Sequence, residues 1–376
     1  MITIEQVDLA SRKQVARFIN LPYRLYTGCP QWVPPLRNEA KRYLTPSQHP
    51  FYDHSVADFF IAVENGRDVG RIAALEHRLS NEQHGLRHAH FYFFESENNQ
   101  EVAGALFNRV AEWAAARNLD AIFGPKGFSM LDGFGILIDG FQHRQMMSLS
   151  NYNHAYYPAL LEALGFTKAI DLISCYLDGR SFQPPAWFEE VAEWARAESE
   201  LQVRGFDTMR ALLQDGSRIL NVYNQAMAQN WEYYPFPERE VKFAIDTVKM
   251  ISNPRLMKVL YHSDEMVGVF IVFPDLTPAL QRAGGNLTPL SIVDLSLAVR
   301  RRPLVIAIAA LGVLPEYRLR GGNVLLFTEL IQSVTDLRVQ GAELIQIPDT
   351  ALEMRRDLAA LGIQPHKTHR VYVKHL

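Results

Sequence analysis

Between an apolar run and an amphipathic helix the chain carries Arg318, Arg320, Gly321 and Gly322 in close order, within LVIAIAALGVLPEYRLRGGNVLLF at Leu304–Phe327. Glycines let a backbone approach an anion closely, and the N–H groups opening a helix point outward with the dipole behind them. Two guanidinium groups add charge-assisted hydrogen bonds to phosphate. The chemistry of this stretch is that of an anion cradle. Proton transfer takes a phenol, a carboxylate or an imidazole. Tyr372, Tyr233 and Tyr234 are candidate acids; Glu240, His262 and Asp294 are candidate bases. Two aromatic runs, SLSNYNHAYYP and NWEYYPFPERE, bring forward Tyr152, Asn153, Tyr156, Trp231 and Tyr233. They either line an acceptor pocket or staple two parts of the chain together.

Bulk properties narrow the classes. The net charge is −3, from 38 basic and 41 acidic residues, and no long run of Lys or Arg stands out. Binding to nucleic acid needs a concentrated basic face, so no nucleic-acid partner is expected. Cys29 and Cys175 form no ligand cluster, and the 12 histidines lack metal spacing, so no metal site is expected. The opening MITIEQVDLASRK has no apolar core of a signal peptide. Leu304–Leu314, the longest apolar run, is far short of the ~20 residues of a spanning helix. These features predict a cytoplasmic protein with no membrane span.

The elements that must position these residues follow from periodicity. Ile2–Asp8 reads as a strand and Arg12–Asn20 as a helix capped by Ser11. Asn65-Gly66 joins Ala57–Val63 to Asp68–Glu76 as a hairpin. Ala89–Phe94 is a strand. Val102, Leu106, Val110 and Trp113 give Gln100–Arg117 a helical stripe. Ala121–Phe123 is a strand, the pattern weakens over 126–157, and Pro158–Leu164 is a helix ended by Gly165. Ile170–Leu177 is a strand. Ala186–Glu198 is a bridging helix.

Beyond it, Leu201–Phe206 is a strand, followed by one long helix to about Gln229 and a second at Val241–Ile251. Leu256–His262 and Met266–Phe273 form a hairpin, and Thr277–Arg302 is a partly helical insertion. The cradle strand, a helix to Leu337, strand Glu343–Ile347, helix Leu352–Leu361 and strand His369–Lys374 complete the chain. Leu161 and Leu358, like Gly165 and Gly362, stand 197 residues apart in similar segments; Val69-Gly70 and Val267-Gly268 stand 198 apart. The shared order and offset indicate duplication. The division is 1–178, a linker helix at 179–200, and 201–376. Each half is a mixed, mostly antiparallel sheet flanked by helices, an α/β (α+β) class.

Strand, PEYRLRGGN and helix in this order resemble the GNAT superfamily of N-acyltransferases, whose loop is [QR]-x-x-G-x-[GA]. Arg318 and Gly321 match; Asn323 stands at the final small position. Asn230-Trp231 with Pro235 and Glu240, and Tyr152-Asn153 with Tyr156-Tyr157, resemble segments of a tandem two-domain bacterial group. The resemblance implies that acetyl-CoA or another acyl-CoA lies along Leu311, Gly312 and Val313, with its pyrophosphate at Arg318, Leu319, Arg320, Gly321, Gly322 and Asn323. It also implies that Ala310–Val313 splays from the neighbouring strand and offers an N–H group to the thioester carbonyl. The implied activity is acyl transfer to a small or peptidyl amine held between the halves. The family often places Asn and Tyr where this chain has Ala351 and Leu358. The first half offers ESENNQEVAGA at its loop, with acids and no arginine. Ala351, Leu358 and Asn323 favour one alternative, a catalytically degenerate GNAT-fold binding protein; the tandem GNAT-like plan also resembles Fem-like aminoacyl transferases, which use aminoacyl-tRNA, although the chain shows no basic path for tRNA. An exposed edge strand would support a homodimer.

Overall fold

Local chemistry sets most of the element boundaries. The first half runs β1 (Ile2–Gln6), α1 (Arg12–Leu25), α2 (Arg37–Tyr43), β2 (Val56–Glu64), β3 (Arg67–Glu76), α3 (Arg78–His84), β4 (His88–Ser96), α4 (Gln100–Ala115), β5 (Ala121–Gly124), β6 (Ile136–Asp139), α5 (Tyr157–Ala163) and β7 (Thr167–Asp178). The Ser11 side chain accepts from the Gln14 N–H and starts α1. Asn65 and Gly66 both have positive φ, 50° and 74°, as the tight β2–β3 turn requires. Asn99 caps α4 by accepting from Glu101 and Val102.

Helix α6 (Ala186–Glu198) leads to β8 (Leu201–Gly205), α7 (Met209–Gln214), α8 (Gly216–Met227), α9 (Glu238–Ile251), β9 (Lys258–His262), β10 (Glu265–Pro274), α10 (Thr277–Ala283) and α11 (Pro289–Arg300). Then come β11 (Val305–Val313), α12 (Pro315–Arg318), α13 (Gly322–Asp336), β12 (Gly341–Pro348), α14 (Leu352–Ala360) and β13 (Gln364–His375). The computed structural model describes residues 1–376 except Met130, Ser199, Gln229 and Leu319; for Glu198 it describes the backbone alone.

Two expectations are corrected. Helix α1 runs five residues past Asn20, through Pro22. The expected single helix before Gln229 is two, because Asp215 takes φ −93° and ψ 0° and serves as both C-cap of α7 and N-cap of α8. The weakly patterned stretch after Lys126 contains β6, and Arg78–His84 is helical.

Among the described residues the strands form one 13-stranded sheet in the order β1-β2-β3-β4-β5-β13-β7-β12-β11-β10-β9-β8, with β6 pairing β13. The last strand of each half is exchanged. Strand β13 lies beside β5 of the first half, and β7 lies beside β12 of the second. They meet along their length, with Val371 opposite Ile170 and His369 opposite Leu172. Two pairs are parallel, β4–β5 and β11–β12, and both part early. The first ladder ends at His90↔Phe123 and the second at Ile308↔Leu344. Beyond these points the strands diverge, leaving a split in each half of the sheet.

Candidate active site

The split of the first half opens into a large cavity. Its volume is about 1050 Å³, and its lining comes from both halves. Tyr92, Phe93, Phe94 and Glu95 of β4 form one wall with Ile19 and Pro22 of α1 and Trp32–Leu36. Helices α9, α10 and α11 close the other side with Phe243, Leu276, Leu280, Ile292 and Val299. Such a volume stands at the top of the roughly 300–1,000 Å³ range of small-ligand pockets.

Strand β4 is irregular where it meets this cavity. Its register with β3 shifts between Arg71↔Glu95 and Ala73↔Tyr92, and Phe93 has φ 51°. The bulge inserts an extra residue and re-aims the side chains that follow. The second half repeats the device: Ile271↔Ala310 is followed by Val272↔Ile308, so Ala309 is the extra residue.

Glu95 is the acid this bulge delivers. Its carboxylate accepts the Tyr26 hydroxyl at 2.8 Å and the Tyr157 hydroxyl at 2.7 Å, and Arg71 stands 3.7 Å away. The Glu95 side chain is 12% exposed and lines the cavity. Burial pushes its pKa up, and the opposing pull of Arg71, the two phenols and His154 does not cancel that rise. Burial above all holds Tyr26 and Tyr157 well above the usual phenol range, so both stay protonated donors. A carboxylate raised by burial and facing an apolar cavity has the character of a general base.

Arg71 is aimed by a proline. Pro22 has no N–H, so in α1 the carbonyl four residues earlier, that of Phe18, loses its helical partner. The Arg71 guanidinium donates to this Phe18 oxygen at 2.8 Å. Pro22, two residues past the helix end expected at Asn20, thus provides the anchor for the cation facing Glu95. Tyr26 stacks between Trp32 and His154, at centroid distances of 4.9 and 4.7 Å, which fixes the phenol that meets the carboxylate.

The residues singled out from sequence fall in several places. Tyr152 and Asn153 line the cavity. Asn153 mimics a peptide, accepting from the Leu137 N–H at 2.7 Å and donating to the Leu137 oxygen at 3.0 Å, and so holds β6. The Tyr156 hydroxyl donates to the Ser96 oxygen. Trp231 packs on Phe123 and Phe134, and Tyr233 is buried. Glu240 is buried and accepts the Tyr234 hydroxyl at 2.9 Å, with His54 Nε2 at 2.6 Å. Tyr372 is buried in the first half's core and donates to Glu162. The structure therefore brings Tyr152 and Asn153 to the cavity with Glu95, and sets Tyr234, Glu240 and Tyr372 in separate buried bonds.

In the second half, Leu311, Gly312 and Val313 lie beyond the last β11–β12 pair. A methyl on Gly312 would come 2.7 Å from Met227 of α8, so that helix covers the strand closely. Arg318 donates from Nε to the Val313 oxygen at 3.0 Å and from a terminal nitrogen to the Ala226 oxygen at 2.9 Å. Its guanidinium ties β11 to the end of α8. Arg320 is exposed, with its guanidinium over the Tyr317 ring. Gly321, at φ 84°, is the N-cap of α13, which has no side-chain cap there. A methyl on Gly321 would meet Ala195 of α6 at 2.6 Å. Gly322 is buried and Asn323 half-buried, while Leu319 lies outside the described residues.

The paired halves, each with a bulged fourth strand parting from its parallel neighbour, define a tandem GNAT fold. Solved structures bear this out: a tandem GNAT protein from the clavulanic acid biosynthesis pathway aligns over 100% of this chain and 98% of its own, with TM-score 0.57 and 12% identity. A GCN5-related N-acetyltransferase from Sphaerobacter thermophilus aligns over 100% and 95%, with TM-score 0.52 and 13% identity. Among curated proteins, the chain is similar to a bacterial ceramide synthase of Caulobacter vibrioides, 28% identical over 98% of this chain and 97% of that one. It is also similar to protein YghO of Escherichia coli K12, 25% identical over 97% and 94%. No family model matches the chain.

Proposed function

We propose that the protein transfers an acyl group from an acyl-CoA to the amine of a long-chain, lipid-like acceptor. The observation that carries this reading is the 1050 Å³ cavity, lined largely by apolar and aromatic side chains, with Glu95 at the split of β4 and β5. A small or peptidyl amine leaves such an apolar volume unfilled. The resemblance to a ceramide synthase supports the same acceptor class.

In this reading the amine nitrogen attacks the thioester carbonyl carbon. The C–N bond forms, the C–S bond breaks, and Glu95 takes the proton that the nitrogen loses and returns it to the departing thiolate. Backbone N–H groups at the β4 bulge, beyond the last partner on β5, stabilise the developing oxyanion. Positioning supplies the rest of the acceleration.

The fit of a CoA nucleotide differs between the halves. At the first-half loop, Asn99 already occupies the helix N–H groups, and Glu97 is paired with Arg24 and Arg67. At the second-half loop α13 has no side-chain cap and Arg320 is exposed, which favours a second reading in which this loop holds a nucleotide while chemistry is confined to the first half. The test is product analysis by mass spectrometry with acyl-CoAs from two to sixteen carbons against a long-chain amino alcohol and a short amine. The expected product is the long-chain amide. Equal turnover of the short amine would reject the lipid acceptor, and no amide from any donor would reject the transferase.

A further inference from the structure

Helix α11 is apolar on two sides, and one of them has no cover. Ile292, Leu295 and Val299, at i, i+3 and i+7, line the cavity. Leu290, Val293 and Leu297 repeat that spacing on another face and are 84%, 57% and 38% exposed. None of its residues is buried. Its one acid, Asp294, is neutralised by Arg282 at 2.9 Å. A surface helix of a water-facing domain normally carries charge opposite its core face. A cluster of exposed large apolar side chains marks an interaction surface.

Charge and place together name the occupant. The helix runs into Arg300, Arg301 and Arg302, all exposed. Arg300 lines the cavity, as do Lys249 and Arg255. An apolar stripe bordered by cations matches an anionic bilayer surface, where side chains enter the acyl boundary and arginines meet headgroup phosphates. The cavity behind the helix is apolar and continuous with it through Ile292, Leu295 and Val299. We propose that α11 docks this protein on anionic membrane and that a lipid substrate enters the cavity beside it. The entry of substrate rests on the acyl-transfer reading. The docking does not, because it needs neither thioester nor amine.

The test is flotation of the full chain with vesicles of phosphatidylglycerol and phosphatidylethanolamine, against pure phosphatidylcholine, at about 0.1 M salt. The native chain is expected to float with the anionic vesicles and to leave them as salt rises. Leu290→Asp with Val293→Asp is expected to abolish flotation while circular dichroism stays native. Arg300→Ala with Arg301→Ala is expected to weaken partitioning roughly 30-fold. Flotation unaffected by the Asp pair would overturn the proposal. So would no flotation with anionic vesicles, or a dimer in sedimentation velocity that the Asp pair dissociates, which would make this face a contact between copies.

Discussion

Replacing Glu95 by Gln tests the chemistry at one atom. The amide keeps the shape of the side chain and still accepts the hydroxyls of Tyr26 and Tyr157, which now stand at 2.8 and 2.7 Å. It cannot take a proton. Loss of a positioned general base costs about 10²–10⁴ in rate, and kcat is expected to fall within that range. Stability is expected to change by less than about 1.5 kcal/mol, because burial, outweighing the opposing pull of Arg71 and the two phenols, already favours the neutral form of this carboxyl. The sign follows from that raised pKa. The native group's contribution is fully present below the unfolded carboxyl value of about 4.3 and is lost as pH rises through the folded value. The native chain should therefore gain stability relative to Glu95→Gln toward acid.

Activity runs the other way, rising with pH as Glu95 ionises, and the variant should lack that acidic limb. The assay is kcat and kcat/KM against pH with the long-chain amine, alongside thermal unfolding of both proteins. A variant within threefold of native kcat, or one that keeps the limb, refutes the assignment of Glu95 as base.

Three further outcomes are expected. Lys126 is 2% exposed and donates to Glu232 and, at 2.8 Å, to Ser80, so Lys126→Met strands a buried carboxylate and should cost about 3–5 kcal/mol in urea unfolding. Burial pushes Glu232 up, but Lys126 outweighs it and holds the group below its ordinary value; this contribution is present above the unfolded carboxyl value and fades as pH falls through the folded one, so the gap between native and variant should narrow in acid. Arg318→Ala removes two bonds from a charged donor to the Val313 and Ala226 oxygens and should cost about 2–3 kcal/mol, whereas Arg320→Ala should leave stability within about 0.5 kcal/mol. Calorimetry with CoA then separates the roles: weaker binding by Arg320→Ala places a nucleotide on the second-half loop, and unchanged binding removes it.

The sequence displayed what is local and repeated. Asn65-Gly66 and the stripe from Val102 to Trp113 encode their elements through backbone preference and periodicity, and the 197-residue offset exposed the duplication. What it hid depends on distant partners. Nothing in QPHKTHRVYVKH says that β13 pairs with β5 rather than within its own half, because register between remote strands leaves no local mark. The helix expected to end at Asn20 continues through Pro22, and Arg71, 49 positions later, takes the carbonyl that the proline frees. Glu95 reads as the first acid of a solvated loop. Only the bulge at Phe93, one residue of positive φ in an aromatic strand, turns it toward Tyr26 and Tyr157. An acid closing the run HAHFYFFE was the one available signal.

The exchange of β7 and β13 bears on how the halves divide their work. Both fourth strands bulge, at Phe93 and at Ala309, and both part from their parallel neighbours. After the bulge the first half carries Glu95, while the second carries Ala310 and Leu311. The second half keeps the glycine loop, but spends Arg318 on its own carbonyls and packs Ala195 against Gly321. The second half nonetheless shapes the cavity beside Glu95, because β13 completes the sheet beside β5 and α9, α10 and α11 wall the cavity. The cavity is incomplete without the second half. Severing the chain at the linker should therefore abolish acyl transfer even when Glu95, Arg71, Tyr26 and Tyr157 all remain on one fragment.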